Sequence, residues 1–322
     1  MEQPEIGETP EAMSRPGAHE SAAVGSLSPP APMSPGGRAP AIISPQGSAG
    51  SCPTCGSGVN GTGPASLVYA IGRIEPRFPT PSVEKEFAQA TGRDKTSGLT
   101  DRQALHTVLS KPENRYLVRR LCWVMSIGGL ETYIIYPRDP VDIDLLVEAV
   151  RAEPGPMDLD VVIGIRGPIA PPEMCNGLMV PIVAFDQLYS FDRDSLIGSI
   201  PRPESVPQKN DAQFRSAAGE LFDQLLQLAD NAGGIDEHRA LNYLTVRYPR
   251  IYAVTTEQYE RNFSFTGVEV RPSRLSGVRS IVDVIFSFRH RETDVAEKQF
   301  VRVDVTEEFP FLVTKMGPYY ER

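Results

Sequence analysis

The order of apolar and polar positions divides this chain into a first half of short, solidly apolar runs and a second half of clean periodicities. Residues 67–71, 161–165 and 178–185 are apolar on both faces of a strand, so they are expected in a sheet covered on both sides. Pro76, Pro79 and Pro81 are expected to end the first of these strands. Between the other two lies a loop stiffened by Pro168, Pro171 and Pro172, which presents Glu173, Cys175 and Asn176 at the end of the sheet. Pro181 inside the 178–185 run marks that strand as an edge, the place where an extended peptide can add itself.

Helices are expected between these strands. Ser82 offers an N-cap for a helix to residue 91, and Thr100 with Gln103 forms a capping box for a second. Asp139-Pro140 starts a third, with Val141, Leu145, Leu146 and Ala149 on its apolar face. Residues 122–127 and 132–136, joined through Gly128-Gly129, read as a hairpin. A short helix is expected over 192–200, and Pro201, Pro203 and Pro207 mark a linker.

After the linker, Phe214, Ala218, Leu221, Phe222, Leu225 and Leu228 recur at three and four, the spacing of an amphipathic helix ended by Gly233-Gly234. Asp236 caps another, and a third follows over 251–261. Val268 and Val270 then alternate with Glu269 and Arg271, and residues 282–288 and 301–305 alternate likewise, which predicts an antiparallel sheet with helices on one side. The expected fold class is α+β. A mixed α/β subdomain spans residues 65–203, and helices packed on an antiparallel sheet span 204–322.

Composition adds limits. Residues 1–64 are rich in Pro, Gly, Ser and Ala and are expected to be a disordered tail. A net charge of -9 argues against nucleic acid as a partner. No apolar run approaches a membrane span, the N-terminus lacks a signal-peptide pattern, and four scattered cysteines suit a reducing compartment, so a cytoplasmic protein is expected.

Candidate chemistry is sparse, and no catalytic constellation is recognised. Cys52-Pro53-Thr54-Cys55 has the spacing of half a zinc site, which Cys175 and Cys122 could complete as a structural zinc centre. Otherwise Cys52 and Cys55 are exposed thiols in a linker and Cys122 is an inert buried thiol beside Trp123. A thiol enzyme, with Cys175 as nucleophile and His106 or His238 as its base, is a second reading. Glu173 and Asn176 on the proline loop, and Arg271 and Arg274 on a basic rim with Arg279, Arg289 and Arg291, are the candidate binding residues for a peptide or partner protein.

Several stretches carry a family likeness: SLVYAIGRIEPRF, WVMSIGGLETYIIYP, NGLMVPIV, DEHRALNYLTV, SIVDVIFSF and FVRVDVTEEFPFLV. Through them the chain, over roughly residues 66–318, resembles the domain of unknown function at the C-terminal end of the PatA and PatG cyanobactin maturation proteases. The resemblance implies a place in the maturation of ribosomally made peptides, bound to a precursor peptide or a partner enzyme. It does not imply proteolysis, because the subtilisin-type triad segments are missing from this sequence.

Overall fold

In the computed structural model, the described residues are 66–92, 98–201, 211–228 and 230–321, and Thr62–Arg322 forms one compact unit. The architecture is α+β. Five strands, β1 (Ser66–Arg77), β2 (Cys122–Ile127), β3 (Leu130–Pro137), β4 (Asp158–Ile169) and β5 (Pro181–Asp192), close into a barrel in the order β1-β2-β3-β5-β4. Only β3 and β5 run parallel; the other pairs are antiparallel. A five-stranded Greek-key barrel of this kind is the architecture of oligonucleotide- and oligosaccharide-binding folds, although a fold alone assigns no ligand.

The barrel corrects two expectations. Closure leaves no edge, so Pro181 does not mark one; it is the first residue of β5, a position that needs no ladder donor. Pro76 does not end β1 either, and pairs with Trp123. The pairing of β1 with β4 stops at Gly72↔Asp160, yet the Ile74 N–H still points to the β4 side, where it meets the Asp160 carboxylate. Two residues on, the Pro76 nitrogen faces that same vacated side, where no backbone acceptor waits for a donor.

The expected hairpin forms around Gly128 and Gly129, both at positive φ. Inserted between β1 and β2 are α1 (Pro81–Gly92), α2 (Asp101–Leu109) and α3 (Arg115–Arg120), and α4 (Ile143–Val150) joins β3 to β4. The capping box of Thr100 and Gln103 is made in full, and Asp139 accepts the Val141 N–H before the one-turn helix that leads into α4. Val83, Val108, Leu117, Leu146 and Val150 from these helices share one core with Val68, Ile74, Met125, Ile135, Val162 and Phe185 of the barrel interior.

The second sheet has the order β10-β8-β7-β6, with β6 (Phe263–Pro272), β7 (Ile281–His290), β8 (Ala296–Asp304) and the two-residue β10 (Gly317–Pro318); β9 (Phe311–Leu312) also pairs with β8. On one face pack α6 (Asp211–Leu226), α7 (Asp236–Arg247) and α8 (Arg250–Glu260), through Phe214, Leu221, Phe222, Leu244 and Tyr252 against Val284, Phe286, Phe288, Val301 and Val303. The short α5 (Arg193–Ser199) is capped by Asp192.

Helix α7 touches both sheets. Its Tyr243 and Val246, with Leu226 of α6, cover Tyr69, Ile71, Val161 and Ile163 on the outside of the barrel. Gly233, at φ 71°, lets the chain lie against β1: its carbonyl accepts the Tyr69 N–H at 2.9 Å, and a Cβ there would meet the Tyr69 carbonyl oxygen at 2.2 Å. Among the described residues, no helix is long and apolar enough to cross a membrane.

Candidate functional site

A cleft of about 800 Å³ opens at the end of the barrel between α2, α4 and the second half of β5. Leu145, Leu188 and Phe191 make its apolar surface, and His106, Glu148, Arg151, Ser190 and Asp192 bring polar groups to it. The period of two along β5 explains the mixture: Leu188 lies in the barrel core, whereas Tyr189 and Phe191 pack with the cluster on the other face.

The polar groups are held firmly. Asp160, 2% exposed, accepts the Ile74 N–H at 2.7 Å and the Ser190 hydroxyl at 2.5 Å. Burial raises its carboxyl to about 6, against the pull of those two hydrogen bonds and of Arg102 and Arg151. Its bond to Ile74 closes the gap left where β1 transfers from β4 to β2, so Asp160 and Ser190 serve the barrel's geometry first. Arg151 donates to Asp158 at 2.9 Å, and Asp158 also accepts the Gly155 N–H at 2.6 Å. Asp192 accepts the Ser195 N–H at the start of α5, and that bond lowers its carboxyl below the ordinary range. Glu148 lies exposed on the wall.

An acid pair, Asp186 and Glu308, lies where the barrel approaches the chain after β8. Arg138 binds Asp186 at 2.8 Å, and Glu308 is raised to about 7 by burial and by the neighbouring Asp186. The buried Arg239 donates to the Val305 carbonyl at 2.6 Å and to the Glu307 carbonyl, fastening this segment to α7.

The residues singled out from sequence are scattered. Glu173 and Asn176 are exposed on the β4–β5 loop, with Asn176 at φ 47°. Arg271 lies near the far end of β6 and Arg274 just beyond it, and among the described residues no hydrogen bond or ion pair links them to that loop. The basic rim is largely neutralised: Arg271 binds Glu269, Arg279 binds Asp304 and Arg289 binds Asp294. Arg291 donates to the Ser264 hydroxyl.

Cys122 and Cys175 do come together, as a disulfide. This corrects the reading of the two as separate thiols. In this form Cys175 is no nucleophile for His106 or His238, and neither sulfur supplies a thiolate to zinc. Cys52 and Cys55, the other half of the expected zinc set, lie outside the described residues, and among those described no group of three or more His, Cys, Asp or Glu is arranged to hold a metal. His106 lines the cleft, while His238 lies on α7, where burial lowers its pKa.

The bridge fixes the β4–β5 loop onto the outside of β2 and β3, where Met174, Leu178 and Val180 pack on Val124 and Ile134. In oligonucleotide- and oligosaccharide-binding barrels that strand face takes the ligand. Here the chain itself covers it.

Reading the sequence missed the cleft and the buried Asp160 that bonds its Ser190. A signal was present: Asp158 and Asp160 alternate into the start of an otherwise apolar strand, and a carboxylate at an inward position of such a strand needs a partner.

Comparison with known proteins agrees with this architecture. The PatG C-terminal family model matches residues 208–319. The solved structure of the PatG domain of unknown function superposes with a TM-score of 0.65 at 18% identity, over 79% of this chain and 99% of that one. No curated protein matches the chain by sequence. Residues 208–319 are therefore a domain of the PatG C-terminal type, in a chain that shares its fold with the PatG domain of unknown function.

Proposed function

We propose that this protein is a non-catalytic binding module of a PatG-type, cyanobactin-like peptide maturation system, and that it holds a short extended stretch of precursor peptide in the cleft along β5. The observation that carries this reading is the cleft: a broad, open groove of about 800 Å³ built on a strand and two helices, with apolar and polar groups side by side. Leu145 and Phe191 suit the apolar side chains of such a peptide, and Glu148 and Ser190 suit its backbone N–H groups and hydroxyls. The covered outer face of β2 and β3 and the net charge of -9 favour a peptide over a nucleic acid.

The test is a fluorescence-polarisation titration of the full chain with labelled peptides from a precursor encoded beside it. Micromolar binding is expected, weakened at least about tenfold by Ala152→Trp, which fills the exposed wall of the cleft, and by Glu148→Lys. Absence of binding near 1 mM, or binding indifferent to both substitutions, refutes the reading.

A further inference from the structure

The second sheet ends in an open strand. Among the described residues, β6 has β7 on one side and no strand on the other. Just beyond it, the Ser273 N–H donates to the Ile281 carbonyl at 2.8 Å, and Pro272 pairs with Val282. The two-residue period of a strand then turns the N–H and C=O groups of Glu269 and Arg271 toward β7 and those of Val268 and Val270 outward, with the Pro272 carbonyl. Pro272 fits, since an edge proline keeps its nitrogen on the unpaired side. Among the described residues, no other group bonds the Val268 or Val270 amides.

The side chains repeat this order. Val268 and Val270 pack toward the helices. Glu269 and Arg271 share the opposite face, where the Arg271 Nε lies 2.7 Å from a Glu269 carboxylate oxygen. We propose that β6 pairs antiparallel with β6 of a second copy of this chain, about a two-fold axis at Val270, to join two sheets into one.

Charge complementarity selects a second copy as the occupant. An axis at Val270 places Glu269 opposite Arg271 of the other chain, and Arg271 opposite its Glu269. Two ion pairs on neighbouring strands thereby become one alternating set of four charges. Each Val270 N–H donates to the Val270 carbonyl of its mate, and each Val268 N–H to the Pro272 carbonyl. Pairing one residue out of step would oppose like charges or turn the open donors away from acceptors. The bulge at Phe265/Gly267 bounds the straight run and hence the interface.

Sedimentation equilibrium of the full chain should show a reversible dimer with a Kd no weaker than about 100 μM. Val270→Pro removes an outward donor without touching the bonds to β7 and should leave a folded monomer. Glu269→Arg and Arg271→Glu should each weaken self-association at least tenfold, and mixing the two variants should restore a dimer containing one of each, because every opposed pair is then opposite in sign. The charge variants decide the matter should Val270→Pro fail to fold. A wild-type monomer near 1 mM overturns the proposal. So does a dimer unaffected by these substitutions, or a mixture of the two charge variants that stays monomeric.

Discussion

The side-chain amide of Asn242, on α7, donates to the backbone carbonyl of Tyr69, on β1, at 2.7 Å, joining residues 173 apart in sequence. Asn242 also exchanges hydrogen bonds with Asn231. One turn earlier Arg239 reaches the other way, to the carbonyls that follow β8. A single helix thus stitches barrel to sheet, and the stretch DEHRALNYLTV supplies both stitches.

Asn242→Leu keeps the volume but strands the buried Tyr69 carbonyl and the Asn231 side chain. The expected cost is about 2 kcal/mol, the usual penalty for leaving a buried polar group without its partner. Urea denaturation followed by the fluorescence of Trp123 measures it, and an unchanged midpoint would show that α7 holds the barrel by apolar contact alone.

Arg239→Met should cost more, about 3 kcal/mol, because two carbonyls and Asp236 lose a charged donor at once. Arg239→Lys should recover less than half of that loss, since a single ammonium lacks the fork that spans the Val305 and Glu307 carbonyls. Hydrogen exchange over 305–309 should quicken in both variants.

Asp160 makes stability depend on pH. An ordinary aspartate titrates near 3.9, and burial raises this one to about 6, so the folded chain binds the proton more tightly than the unfolded chain. The contribution is complete below about pH 4 and lost as pH rises through 6, a difference of about 3 kcal/mol. Asp160→Asn keeps an acceptor for the Ile74 N–H and cannot titrate. Its stability relative to wild type should therefore climb between about pH 4 and 6 and level off above 7; a flat difference would refute the assignment. Glu308, raised to about 7, should add a second decline at higher pH that Glu308→Gln removes alone.

The Cys122–Cys175 bridge spans a sequence separation of 53, for which loop closure alone gives about 4 kcal/mol. Reduction, or the double change Cys122→Ala and Cys175→Ala, should lower stability by about 2–4 kcal/mol. Both cysteines should resist iodoacetamide until a reductant is added. Alkylation of Cys175 in the untreated protein would reopen the thiol reading.

The features plain in the sequence are those settled by neighbours along the chain. The capping box at Thr100, the hairpin at Gly128-Gly129 and the alternation of Val268 to Arg271 each lie within one short window and are found as read; the helical stripe from Phe214 forms too, but its helix ends at Leu226, short of Leu228 and Gly233-Gly234. What escaped was settled across distance. Nothing near Ser66 announces that it will face Arg166, so the runs apolar on both faces suggested an open, covered sheet instead of a barrel. Pro181 reads as an edge residue only while closure is unknown. Cys122 and Cys175 are each unremarkable in their own windows, and the cleft draws its walls from α2, α4 and β5 together. Of the residues expected from sequence to bind a partner, Arg271 lies on β6, where it is ion-paired to Glu269.

The shared cover on β1 bears on how this protein can be cut and how it emerges from the ribosome. A fragment stopping near residue 200 would contain every barrel strand yet leave Tyr69, Ile71, Val161 and Ile163 bare, because their cover arrives only with Leu226, Tyr243 and Val246. Such a fragment should aggregate instead of behaving as an independent half. During synthesis the first strand likewise waits through more than a hundred and fifty residues of translation before its outer side is shielded, which makes the young chain a natural client for holdase chaperones.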